Sequence, residues 1–133
     1  MQKKIEHIGI AVKDLEASNL LYAKLLNRPH YKIEVVPSEG VKTSFFKMGD
    51  SKIELLQATS LDSPIAKFID KRGEGIHHLA FAVDDIESEM ERLKAAGFQF
   101  IHEVPKPGAD GKKIAFLHPK SSGGVLIELC QDL

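Results

Sequence analysis

One cysteine, Cys130, rules out an internal disulfide and any cysteine-rich zinc site, and fits a reducing compartment. No apolar run approaches the roughly 18–20 residues that a membrane-spanning helix requires. The start, Met1-Gln2-Lys3-Lys4, carries no apolar signal segment. Charge of neither sign dominates: 18 Lys and Arg face 19 Asp and Glu, a net charge of −1, with no long basic or acidic block. Nucleic acid and membrane surfaces are therefore not expected partners. Low-complexity segments and inter-domain linkers are also lacking. With 43% hydrophobic and 28% charged residues, the chain has the composition of a folded globular protein. The expectation is a single domain over residues 1–133, cytoplasmic, or in the mitochondrial matrix if a transit peptide has been removed.

What the chain does contain is itself, twice. The segment Ile5–Glu16 returns as Ile76–Glu87, with His7 on His78, Ala11 on Ala82, Val12 on Val83, Asp14 on Asp85 and Glu16 on Glu87, an offset of 71 residues. A second echo, Ile53–Gln57 returning as Ile127–Gln131, sets Glu54 on Glu128 at an offset of 74. A repeat of this length names the architecture before any single motif does.

Each copy opens on a strand, at Ile5–Val12 and Ile76–Val83, where apolar residues alternate with period two. A helix follows, with Asp14 or Asp85 as N-cap. The first runs through Leu26 with Leu21, Tyr22, Leu25 and Leu26 as its expected apolar stripe; the second stops at Gly97. Strands are expected at Tyr31–Val36, Val41–Met48 and Lys52–Gln57 in the first copy. Those of the second are expected at Gln99–Val104, Lys112–Leu117 and Val125–Cys130. The pattern predicts an α+β fold: tandem βαβββ modules, about 4–57 and 75–131, forming one curved eight-stranded mixed sheet with helices on its convex side. The modules are joined by linker 58–74, which holds a short helix capped by Ser63 with Pro64 at its first position.

Strand parity selects the chemistry. His7 shares a face with Gly9 and Ala11, and His78 with Ala80 and Ala82, a small-residue surface suited to an object lying against it. Glu54 and Glu128 point opposite to their apolar neighbours Ile53, Leu55, Ile127 and Leu129. A lone strand histidine is more often a satisfied interior residue than a ligand, and a buried glutamate often pairs with a lysine such as Lys52. Duplication of both types at matched parity favours a metal site. If the halves are related by a pseudo-twofold axis, His7, His78, Glu54 and Glu128 converge. They would then suit a divalent first-row ion in octahedral geometry with two positions open. These donor types do not single out one metal. The other candidates stay structural: His77 on the core side, His30, His102 and His118 without repeat partners, Gln57 and Gln131 at core parity, and Cys130 as a small buried residue. Lys71, Arg72 and Lys120 read as isolated surface charges.

Tandem βαβββ units with this His…Glu…His…Glu order resemble the vicinal oxygen chelate (glyoxalase) superfamily. Gly75–Ile86, Asp62–Ile69 and above all His118–Leu129 resemble the methylmalonyl-CoA epimerases within it, over Ile5 to Gln131. The resemblance implies one divalent metal per chain, most often Co2+, with Mn2+, Ni2+ or Zn2+ as possibilities. It implies ligands at His7, His78 and Glu128, a fourth position at Glu54, and a homodimer. It also implies epimerisation of (2R)- and (2S)-methylmalonyl-CoA at C2 through an enolate, with Glu128 and Glu54 as the pair of acid–base groups. Some relatives carry a carboxylate where this chain has Thr43. The alternative reading is a glyoxalase I-type lyase acting on a glutathione hemithioacetal. An extradiol iron dioxygenase would use His7, His78 and Glu128 alone, and a non-catalytic relative would lack the four metal-type residues.

Overall fold

A computed structural model describes residues 2–133. The fold is α+β: an eight-stranded mixed sheet in the order β2-β3-β4-β1-β5-β8-β7-β6, with three α-helices. The strands are β1 (Gln2–Ala11), β2 (Lys32–Val36), β3 (Val41–Met48), β4 (Ser51–Ala58), β5 (Gly75–Val83), β6 (Lys106–Pro107), β7 (Lys112–Phe116) and β8 (Ile127–Asp132). The helices are α1 (Leu15–Leu26), α2 (Pro64–Arg72) and α3 (Ile86–Ala95). β5 and β8 pair parallel, while β2–β3, β3–β4, β6–β7 and β7–β8 pair antiparallel. No described helix is long and apolar enough to cross a membrane. The chain divides into two compact units, one of residues 8–77 and one of residues 1–7 with 78–133.

In the 8–77 unit, α1 packs Leu15, Tyr22, Ala23 and Leu26 against Val12, Phe46 and Leu55. This differs from the expected stripe, because Leu21 and Leu25 are 62% and 71% exposed. The reason is periodicity: Leu15, buried Asn19, Tyr22 and Leu26 are spaced by four, three and four residues, one face of a 3.6-residue helix. Leu21 and Leu25 lie outside it. All three expected caps form: the Asp14, Ser63 and Asp85 side chains accept from the amides of Ala17, Ile65 and Ser88, each at 3.1 Å.

In the other unit, Val83, Ile86, Met90, Leu93, Ala115, Leu117 and Leu129 form the core between α3 and the sheet. Each fully buried side chain of this size stabilises the fold by about 1.5–3 kcal/mol. The strand expected at Gln99–Val104 is absent. Phe100 makes one isolated bridge to Leu117, and the ladder partner of β7 is the two-residue β6. Ile101 and Val104 are exposed, so their apolar character marks no buried face. Pro105 then restricts Val104, and Pro107 is tolerated because β6 is the outermost strand.

Glu89, on α3, is buried and receives two hydrogen bonds from Arg92, Nε to Oε1 at 2.9 Å and Nη2 to Oε2 at 2.8 Å. This carboxyl is held down to about 2, chiefly by the hydrogen bonds from Arg92, against the upward push of burial. A depressed carboxylate contributes stability that is complete above its ordinary value of 4.5 and fades as pH falls toward about 2. Arg92→Met removes both of these hydrogen bonds from a buried carboxylate, and melting at pH 7 is expected to drop by about 5 °C. Thermal scans across pH should show the gap from the parent closing between pH 4.5 and 2; a pH-independent gap would contradict the ion pair.

Candidate metal centre

β1, β5 and β8 deliver three buried polar side chains to one point within the unit formed by residues 1–7 and 78–133. His7, His78 and Glu128 are each 5% exposed. The two imidazoles present Nε2 to each other at 2.9 Å, with ring planes at 88°. Glu128 Oε1 lies 3.0 Å from His7 Nε2 and 3.6 Å from His78 Nε2. The parallel register of β5 and β8 sets Ala80 opposite Glu128, and the antiparallel register of β7 sets Phe116 opposite it from the other side. The Phe116 ring meets the His78 ring edge at 5.7 Å and helps fix its rotamer.

One proton shared by the imidazoles, or one cation among all three donors, would satisfy these distances. Ligand atoms about 2.1 Å from a common ion stand ~3.0 Å apart at right angles and ~3.4 Å apart in a tetrahedron. The separations of 2.9 and 3.0 Å fit neighbouring corners of an octahedron, and 3.6 Å is somewhat wider. Two imidazole nitrogens and one carboxylate oxygen also match a divalent first-row ion in kind. Burial pushes the Glu128 carboxyl upward, but the hydrogen bond from His7 and the positive charge available on both imidazoles more than offset it, leaving a net lowered pKa. The carboxylate is thus ionised at neutral pH. Cys130 Sγ donates to the same Oε1 at 3.2 Å.

Glu54 is buried on β4 in the 8–77 unit. Its register partner is Phe45, and Thr43 pairs with Leu56, so Glu54, Phe45, Thr43 and Leu56 share one face of that unit. Thr43 is 1% exposed, and its hydroxyl has no hydrogen-bond partner among the described residues. The face of His7, Gly9 and Ala11 is buried rather than open. Two of the remaining histidines have structural contacts. The His77 ring packs edge-on against Phe68 at 4.9 Å, and His118 Nδ1 accepts from the Lys120 amide at 3.2 Å. Gln57 and Gln131 carry a repeated role that parity alone hid. Their Oε1 atoms accept the first helical amides, Leu15 N at 2.6 Å and Ile86 N at 2.7 Å, tying each closing strand to the helix of its own copy. Glu6 escaped the sequence reading altogether: it is buried, and its Oε1 accepts from His7 Nδ1 at 2.6 Å. A cavity of about 330 Å3 lined by Phe81, Leu93, Phe98 and Leu117 shares no residue with the cluster.

Comparison with known proteins places this geometry in context. A family model for the glyoxalase/bleomycin resistance protein/dioxygenase superfamily matches residues 6–116. An ethylmalonyl-CoA/methylmalonyl-CoA epimerase of Cereibacter sphaeroides is 41% identical over 130 residues, covering 96% of this chain and 97% of that protein. The structure of a hypothetical protein from Bacillus halodurans is 48% identical, with a TM-score of 0.95 over 98% of this chain and 94% of that one. A Streptomyces coelicolor methylmalonyl-CoA epimerase bound to 2-nitronate-propionyl-CoA is 34% identical, with a TM-score of 0.96 over 99% of this chain and 96% of that one. On the family match and these near full-length relatives, the chain belongs to the glyoxalase/bleomycin resistance protein/dioxygenase superfamily.

Proposed function

We propose that the protein is a metal-dependent epimerase that interconverts (2R)- and (2S)-methylmalonyl-CoA. The observation that carries the reading is the buried His7, His78 and Glu128 donor set, in a chain that aligns almost end to end with epimerases of that substrate. His7, His78 and Glu128 would hold one divalent ion, with Glu54 proposed as a fourth donor; Co2+ is our first choice, and Mn2+, Ni2+ and Zn2+ suit the same atoms. When bound, the ion supplies Lewis-acid stabilisation of negative charge that develops on substrate oxygens.

The chain's own groups would handle the proton. The C2–H bond lies between a thioester and a carboxylate and is only weakly acidic, so inversion needs one group to remove the proton and another to return one on the opposite face. Glu128 is the first candidate, because its carboxyl is ionised at neutral pH and can accept. Glu54, its counterpart in the repeat, is proposed as the second. The orphaned Thr43 hydroxyl, on the same face as Glu54, offers a donor to a substrate oxygen where some relatives carry a carboxylate. We further propose a cytosolic or mitochondrial-matrix setting. A homodimer is also proposed, with the exposed Leu20, Leu21 and Leu25 of α1 as apolar surface to cover.

Incubating enzyme and methylmalonyl-CoA in D2O is expected to place one deuterium at C2 during turnover, read by mass spectrometry. Inversion without wash-in would remove the proton-transfer route. Turnover of methylglyoxal with glutathione, in place of exchange, would favour the lyase that shares these ligand types.

A further inference from the structure

A carboxylate buried to 4% exposure must have a partner, and Lys112 and His7 both lie near Glu6. Lys112 Nζ stands 3.9 Å from Oε2, but that ammonium is also hydrogen-bonded to Asp132. His7 Nδ1 is far closer, at 2.6 Å from Oε1. Adjacent residues of a regular strand start toward opposite faces, yet Glu6 and His7 are buried in succession on β1 and their side chains meet. The repeat does not reproduce it: His77, at the matching position, packs on Phe68 instead.

We infer that Glu6 is a positioning residue for the metal centre, acting through His7. A carboxylate accepting from Nδ1 holds a proton on that nitrogen, so Nε2, the atom beside His78 and Glu128, is the one that would ligate the ion. The same hydrogen bond pushes electron density across the ring and makes Nε2 a stronger donor, the usual effect of a carboxylate behind a ligating histidine. The repeat has His77 where the first copy has Glu6, so the two halves of the duplication differ at this position. The inference rests on the metal reading proposed above.

The test is cobalt(II) affinity of the full chain, measured by competition with a chromophoric chelator, with the visible absorption of the bound ion as a second readout. Glu6→Leu is expected to weaken binding about 10–100-fold. Glu6→Gln, which keeps an accepting oxygen without the charge, should fall between Glu6→Leu and the parent. Lys112→Met should bind as the parent does. Parent-like affinity in Glu6→Leu overturns the inference, as does an equal loss in Lys112→Met, which would assign Glu6 to an architectural ion pair. Should Glu6→Leu fail to fold by circular dichroism, Glu6→Gln decides, and parent-like affinity there overturns the inference. A parent protein that binds no cobalt removes the metal reading and this inference together; parent binding with indifferent Glu6 variants removes the inference alone.

Discussion

Glu128→Gln is expected to lower turnover of methylmalonyl-CoA by about 10²–10⁴-fold, the range that a positioned acid–base group contributes. Glutamine preserves the volume of the side chain and an oxygen able to accept from Cys130 Sγ, so packing at this 5% exposed position should survive. What disappears is the negative charge. Without it the site has no proton acceptor at this point, and the two imidazoles keep neutral donors only. Steady-state kinetics and deuterium wash-in should fall together, and metal content measured on the same preparation separates loss of the ion from loss of the base. Wash-in at the parent rate would remove Glu128 from the proton transfer.

Stripping divalent ions should have a comparably large effect. A Lewis acid at the developing enolate supplies several kcal/mol, and each ~1.4 kcal/mol is tenfold in rate. Activity is therefore expected to fall about 10³-fold after exhaustive chelation and to return on adding back Co2+. In His78→Ala, added Co2+ should not restore it, because one of the two imidazole donors is gone and alanine offers the ion nothing in its place. Full activity in protein shown by elemental analysis to be metal-free would sink the metal reading.

Much of this was legible in residues alone because the duplication doubles each signal. Asp14 and Asp85 cap their helices as their positions imply, and three of the four residues that parity and repeat single out, His7, His78 and Glu128, lie together. The failures have physical causes. Glu6 was hidden because a period-two reading sends it to the face opposite His7, and alternation says nothing of neighbouring side chains that meet. The Gln57 and Gln131 contacts link residues 42 and 45 positions apart, beyond any local window, although their recurrence in the second echo was the available clue. Leu21 and Leu25 were misplaced because five leucines in α1 admit more than one stripe, and the polar Asn19 that completes the buried one argued against it. The missing strand at Gln99–Val104 shows that alternation without a partner surface does not make a ladder.

The two glutamine-to-helix bonds also bear on the order of assembly. The leading amide of each long helix waits for an acceptor that arrives only with its copy's final strand, 42 or 45 residues downstream. Closing a loop of that size carries an entropic toll before any contact rewards it. During synthesis each copy should therefore lock late and as a unit, so truncations that remove β4 or β8 are expected to fray a helix far upstream rather than merely trim an edge.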